Sequence, residues 1–348
     1  MNRSKIEWCD HTWNPITGCR HNCPYCYARR MVARFAGDVR LNLMAKKDYS
    51  LVPAADGGAD LYVLDEPMLN ETGKPLVYPF GFAPTLHRYR LNTMDKLKMG
   101  NNIFVGAMAD VFGAWVPDTW IREVIGVCME YPIHNFLFLT KNPGRYMQYG
   151  VPIGFENLWY GTSVTKESEI ERMNYLPEHC RTFISAEPLL EDLRLGEHRM
   201  ELEGLDWIIL GAETGKQKRR VIPEWDWIKG IVMEADSMGI PVFMKESLLE
   251  IVGEGNMRRE FPRQLRKSEI SEKMKKKLYG NCSVCNSHLK KGEMITLLAR
   301  SKRGEQPKQF GFMCKDCFRK FCKDLGLDMP ELAGLADSIT IGPGDENG

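Results

Sequence analysis

Three cysteines, Cys19, Cys23 and Cys26, crowd into the stretch GCRHNCPYCYARR at residues 18–30. Their spacing, C-x3-C-x2-C with Tyr25 directly before the last, presents three thiolates to one centre. A closed structural zinc site wants four ligands, and His11 or His21 is near enough in sequence to supply one. A simple electron-carrying iron–sulfur cluster also takes four protein ligands. A cubane held by only three thiolates leaves one iron open to another molecule, and an open iron is a place for chemistry.

A second group lies far downstream. Cys282 and Cys285 in CSVC, with Cys314 and Cys317 in CKDC, form two C-x2-C knuckles. The intervening residues read as a hairpin crossing SKRGEQP. Knuckles facing each other across a hairpin make a four-thiolate tetrahedral site that zinc fills without redox activity. An auxiliary iron–sulfur cluster is the alternative. Cys322, little more than one helical turn beyond Cys317, is expected to pack.

Positioning the first group falls to residues 102–245, where short apolar runs alternate with amphipathic stretches. The runs are NIFVGAMAD (102–110), NFLFLTK (135–141), LWYGTSV (158–164), RTFISAEP (181–188), DWIILGAET (206–214) and IPVFMKE (240–246). They are rich in β-branched and aromatic residues, whereas PDTWIREVIGVCMEY and PEWDWIKGIVMEADSMG have helical spacing. Such alternation implies a parallel sheet covered by helices. With a strand at HTWNPIT and one near LVYPFGFAP (76–84), about eight βα-like units make a complete or partial (β/α) barrel, with a doubly wound sheet as the alternative.

Together these elements predict a barrel over 1–253 with a hairpin insertion at about 45–75 turning at NETGK. A basic linker over 254–280, a zinc-ribbon or treble-clef module over 281–325 and a frayed tail over 326–348 are expected to follow. The chain has 348 residues, 43% hydrophobic and 27% charged, with a formal net charge of +1. So even a balance gives no global attraction to polyanions, and any basic surface must be local. No stretch approaches the roughly 18 apolar residues of a membrane span, and MNRSKIEWCDHTW lacks the apolar core of a signal peptide. A cytoplasmic protein without membrane contact is expected, and seven of eleven cysteines in two tight clusters point to metal and not to disulfides.

CRHNCPYC resembles the signature of the radical S-adenosylmethionine (SAM) superfamily. In that superfamily the three cysteines bind a [4Fe-4S] cluster whose open iron chelates SAM, and reductive cleavage yields a 5′-deoxyadenosyl radical. The wider set KIEWCDHTWNPITGC, VGAMADVFGAWVPDTW, FLFLTKNPGRY, YGTSVT, ISAEPLL, DWIILGAETG and IPVFMKE, spanning roughly residues 4–265, is similar to a phage-associated family within it named for its three-cysteine motif. MADVFGAWVP followed by LTK is more distantly similar to the spore photoproduct lyase relatives. Cys9 stands where the family usually has threonine and is expected to be buried.

The resemblance implies that polar residues closing the strands gather around SAM. Lys141 and Glu187 are the candidate catalytic residues. Asp110, Thr140, Ser163, Glu213 and Lys245 are candidate cofactor contacts, and the resemblance places Tyr25 near the adenine through its backbone. The glycine-glycine-glutamate stretch of the superfamily is not evident, and GFAPTLHRYR stands in its place, with His87 and Arg88 as possible substrate contacts. Trp8, Trp13, Trp207, Trp225 and Trp227 are expected to pack.

The expected substrate is a nucleic acid base or nucleotide. Basic residues before and within the second cysteine module support this, among them Arg258, Arg259, Arg263, Lys275, Lys276, Lys277, Arg300, Lys302, Arg303, Arg319 and Lys320, with interleaved Phe310, Phe312 and Phe318. A solvated face is the plain alternative. A reducing protein such as flavodoxin or ferredoxin is an expected partner. The rival readings are a radical SAM enzyme acting on a peptide or small metabolite, and a non-catalytic nucleic-acid-binding protein with two zinc sites.

Overall fold

The computed structural model describes residues 2–97, 100–215, 220–270, 278–282, 285, 288–290, 294–299, 308–324 and 338–341. The chain divides into two compact units, Met1–Ile270 and Ser271–Gly348.

In chain order the first unit contains β1 (Asn2–Arg3), β2 (His11–Trp13), β3 (Ile16–Thr17), α1 (Tyr27–Phe35), α2 (Val39–Met44), β4 (Ser50–Val52), β5 (Leu61–Leu64) and β6 (Thr85–His87). Then come β7 (Asn102–Val105), α3 (Asp118–Glu130), β8 (Asn135–Thr140), α4 (Gly144–Tyr149), β9 (Leu158–Ser163) and β10 (Arg181–Ala186). The unit closes with β11 (Trp207–Leu210), α5 (Trp225–Met238), β12 (Val242–Met244) and α6 (Leu249–Val252). The main sheet runs β1-β2-β7-β8-β9-β10-β11-β12; β1 is antiparallel to β2, and the other seven strands are parallel and curl into a half-barrel. Among the described residues no pairing joins β2 to β12, so the barrel is partial.

The period-2 pattern of the strands sends alternate residues to the two faces of the sheet. Ile103, Phe136, Phe138, Leu158 and Tyr160 pack with α3 residues Trp120, Ile121, Val124 and Ile125, and further along Ile184, Ile208 and Val242 pack with Ile228 and Ile231 of α5. The intervening Phe104, Leu137, Trp159, Phe183, Ile209 and Phe243 form a separate core with Trp8 and Leu265. Helix α5 ends at Gly239, whose left-handed φ of 69° lets its N–H reach the carbonyls of Ala235 and Asp236.

Four expectations change. HTWNPIT is two strands, because Pro15 interrupts the ladder; β3 leaves the main sheet and pairs with β6. LVYPFGFAP is not a strand: Pro79, Gly81 at φ 62° and Pro84 hold it in turns, and β6 follows it in a second sheet of order β3-β6-β5-β4. That sheet takes up the 45–75 insertion, where Asn70 turns the chain by accepting the N–H groups of Thr72 and Lys74.

Residues 254–270, expected as linker, pack against the half-barrel instead. Leu265 and Ile270 are buried, the Trp207 indole donates to the Glu260 carbonyl at 2.9 Å, and Asn102 donates to the Leu265 carbonyl at 2.8 Å. Of the charges that suggested a linker, Arg258, Arg259, Arg263 and Lys267 are held in ion pairs. In the second unit, β13 (Leu278–Asn281) pairs with β14 (His288–Lys290), and β15 (Met294–Ala299) pairs antiparallel with β16 (Lys308–Cys314), which leads into α7 (Lys315–Asp324). The expected frayed tail contains β17 (Ser338–Ile341), whose β-branched residues run parallel to β15.

No helix among the described residues is long and apolar enough to cross a membrane.

Candidate active site

The three-thiol loop is placed by Gly18. Its φ of 87° is open to glycine, and a Cβ there would fall 2.3 Å from the Ala83 carbonyl oxygen. The Gly18 N–H donates to the Met108 carbonyl at 2.9 Å, tying the loop to the segment after β7. Cys26 caps α1, its Sγ accepting from the Arg29 N–H at 3.4 Å. The Arg29 guanidinium lies over the Phe82 ring and donates to the Cys19 carbonyl.

The loop faces a cavity of about 420 Å³ at the C-terminal ends of the parallel strands. Cys19, Cys23, Cys26 and Tyr25 line it, together with Asp110, Thr140, Lys141, Ser163, Glu187, Glu213 and Lys245. The polar strand-end residues, scattered over more than a hundred positions of sequence, are thus brought to one place. Parallel strands ending on the same side do this automatically, and it is where open α/β sheets and barrels put their ligands.

Two lysines enter the cavity with partners. Lys141 Nζ donates to the Tyr25 hydroxyl at 2.9 Å, and Lys245 is ion-paired with Glu187. Gly211 leaves room for that pair, since a Cβ there would stand 3.0 Å from Glu187 Cγ and 3.2 Å from Lys245 Cδ. Thr140 Oγ1 accepts the Asn142 N–H at 2.9 Å, which leaves its own O–H free to donate. Glu213 accepts the Val221 N–H at 3.2 Å.

Asp110 is occupied by the protein itself. It is buried, Oδ1 accepts the Phe112 N–H at 3.0 Å, and Oδ2 accepts the Lys141 N–H at 3.0 Å and faces His21 Nε2 at 2.7 Å. It anchors the loop through His21 and spends three of about four acceptor sites doing so. Burial, then the Asp110 carboxylate, pushes the Cys19 thiol up to about 12, so a thiolate there calls for a strongly cationic centre.

His87 and Arg88 lie elsewhere. His87 is buried in the second sheet, 2.8 Å from Thr17 Oγ1, and Arg88 pairs with Asp65 and Glu123. Cys9 is buried, its thiol on Ser4 Oγ at 3.3 Å. Trp8 lines the cavity as well as packing. Other cavity residues escaped the sequence reading: Tyr27, which donates to the Ala107 carbonyl at 2.7 Å, and Arg30, Ser185 and Thr214. Tyr27 and Arg30 directly follow the cysteine motif, and the helical spacing of α1 was the available signal.

In the second unit Cys282, Cys285, Cys314 and Cys317 bring their sulfurs within 4.8 Å of one another, with Cys285 and Cys314 3.8 Å apart, and can hold a metal ion. Among the described residues theirs are the His, Cys, Asp or Glu ligand atoms gathered so tightly. Of the expected phosphate contacts, Arg258, Arg259 and Arg263 are neutralised by Asp236, by Glu7 and Glu246, and by Glu269. Phe318 is buried. Arg319 pairs with Asp316, and Lys320 is exposed. Lys275, Lys276, Lys277, Arg300, Lys302, Arg303 and the side chains of Phe310, Phe312 and Cys322 lie outside the described residues.

Fold and site define an α/β half-barrel protein with a thiol triad at the mouth of a polar strand-end cavity, followed by a module whose four thiols can hold a metal ion. The chain belongs to the family described as Protein of unknown function (DUF5131), whose model matches residues 3–280. No curated protein matches it. Among solved structures it is similar to spore photoproduct lyase complexed with dinucleoside spore photoproduct, at 10% identity and a TM-score of 0.38 over 68% of this chain and 63% of that one. It thus spans less than two thirds of that protein's length. A mutant of the same lyase with bound AdoMet and dinucleoside spore photoproduct is similar at 10% identity and a TM-score of 0.38, over 93% and 73%.

Proposed function

We propose that this protein is a radical SAM enzyme acting on a nucleic acid base or nucleotide. The observation that carries the reading is the meeting of three thiols and the strand-end polar residues in one cavity.

The donor set fits a [4Fe-4S] cluster. Three thiols face the cavity, and the nearest imidazole, His21, is committed to Asp110 through Nε2. Cys19, Cys23 and Cys26 would hold the cluster, which supplies one-electron cleavage of the SAM sulfonium when bound. The chain's own groups do the rest. Lys141 presents its charge to an incoming carboxylate, with Tyr25 as its resting partner. The Thr140 hydroxyl donates, and the Glu213 carboxylate can accept from ribose hydroxyls or an ammonium. Lys245 and Glu187 neutralise each other until a substrate group separates them.

The four-thiol site fits zinc. A tetrahedron with metal–sulfur bonds of about 2.3 Å places its sulfurs about 3.8 Å apart, as Cys285 and Cys314 are. A flavodoxin or ferredoxin is the proposed reductant.

Metal analysis after anaerobic reconstitution tests the reading. About four irons and one zinc per chain are expected, with dithionite-driven release of 5′-deoxyadenosine from SAM. Cys23→Ala is expected to lose the iron and keep its fold. Two zincs and no iron would overturn the enzyme reading.

A further inference from the structure

Helices α1 and α2 carry an exposed face with an uncommon composition. Residues 27–47 contain six basic residues, Arg29, Arg30, Arg34, Arg40, Lys46 and Lys47, against the single acid Asp38, in a chain whose net charge is +1. Interleaved with them are large apolar side chains in solvent: Met31 at 41% exposure, Phe35 at 63%, Leu41 at 61% and Met44 at 79%. Elsewhere in the first unit many arginines are ion-paired, among them Arg88, Arg145, Arg181, Arg194, Arg258 and Arg259. Among the described residues Arg34, Arg40, Lys46 and Lys47 have no carboxylate partner, and Asp38 is engaged in capping α2.

The α1 end of this surface reaches the cavity. Tyr27 and Arg30, in the first turns of α1, line it. A Cβ on Gly215, beside the cavity residue Thr214, would lie 3.9 Å from the Arg30 guanidinium. Arg34 sits one turn beyond Arg30 on the same side of the helix.

We propose that the α1–α2 face docks a single-stranded polynucleotide and holds its phosphates beside the cavity mouth. The inference rests on the nucleic acid reading above and names the surface that would grip the substrate's backbone. Unpaired cations call for a polyanion. Exposed Phe35, Met31 and Met44 between them offer apolar faces on which unstacked bases can lie, as single-strand binding surfaces do. A cavity of about 420 Å³ admits a base only after it has left the stack, so its neighbours in the strand must be held outside.

The test uses the full chain and a fluorescent single-stranded oligonucleotide across a salt series. Each neutralised phosphate contributes a log–log slope of about −0.7 on single strands. The combined Arg34→Gln, Arg40→Gln, Lys46→Gln, Lys47→Gln variant is expected to lose about 2.8 units of slope. Between 50 and 200 mM salt the unaltered protein should then weaken about 50-fold more than the variant. Phe35→Ser should lower affinity about fivefold or more with the slope unchanged.

All five substituted positions lie outside the thiol loop, so iron content and dithionite-driven SAM cleavage without substrate should stay as they were. Unchanged slope and affinity in the four-residue variant would overturn the proposal while leaving the enzyme reading intact. Loss of reduction by an acidic flavodoxin, with oligonucleotide binding unaffected, would overturn it in favour of a protein partner. Patch-dependent binding by a protein that takes up no iron would uphold the surface and sink the enzyme reading alone.

Discussion

Asp110 shows how a residue can line a site while most of its acceptor capacity is held by the protein itself. Its oxygens hold the Phe112 and Lys141 N–H groups and His21. Asp110→Ala should leave buried donors unsatisfied at a cost of about 2 kcal/mol and weaken iron retention. Asp110→Asn should do little better, since an NH2 group at Oδ2 would meet the Lys141 N–H; denaturant titration and iron analysis check both. A second prediction concerns His134, which is buried and held neutral, with burial and then His11 bringing its pKa down to about 4. The unfolded chain binds that proton at about 6.5, so this contribution to stability is complete above pH 6.5 and is lost as the pH falls toward 4, at about 1.4 kcal/mol per pH unit. Unfolding midpoints at pH 7 and pH 5 should differ accordingly, and less so in His134→Gln. At this scale the thiol spacing and the strand-end Lys141 and Glu187 were legible because a charge ending an apolar run has few packing uses. His87 and Arg88 misled because a polar pair after a short strand looks the same whether the strand belongs to the main sheet or to the insertion.

Two glycines at the site lack a side chain for different reasons, one for the backbone and one for the neighbouring side chains. Gly18→Ala combines a left-handed φ with contact against the Ala83 carbonyl, so it should destabilise the first unit by about 2 kcal/mol or more and displace the thiol loop. Gly211→Ala meets only the flexible stems of Glu187 and Lys245; it should leave the melting temperature nearly unchanged and alter SAM affinity, a split that calorimetry and binding titration can read. Strands from Asn102 to Met244 were legible from apolar runs and intervening amphipathic stretches. The second sheet was not, since Ile16–Thr17 and Thr85–His87 are too short to show a period. The packing of 257–266 was hidden as well: Phe261 and Leu265 supply its contacts, while Arg258, Arg259 and Arg263 dominate its composition.

The molecule's division into Met1–Ile270 and Ser271–Gly348 predicts separable stabilities. If metal binding is folding free energy for the small second unit, Cys314→Ala or a strong chelator should abolish protection of β15 and β16 in hydrogen exchange and leave β7 to β12 protected. Loss of protection in both units at once would show that they fold as one. The existence of a second unit was plain from two C-x2-C knuckles. Its boundary was not, because the chain's character changes at about residue 254, before its packing does at 270. At the first unit's other end, α1 begins on Cys26, whose sulfur accepts the Arg29 N–H. Capping and the ligation proposed above would therefore draw on one atom. Whatever secures that sulfur steadies the helix, and by thermodynamic reciprocity whatever steadies the helix from its outer face must tighten the loop's hold by the same free energy. An oligonucleotide bound on α1 should slow the loss of iron to a chelator, and an iron-loaded loop should bind the oligonucleotide more tightly than a stripped one.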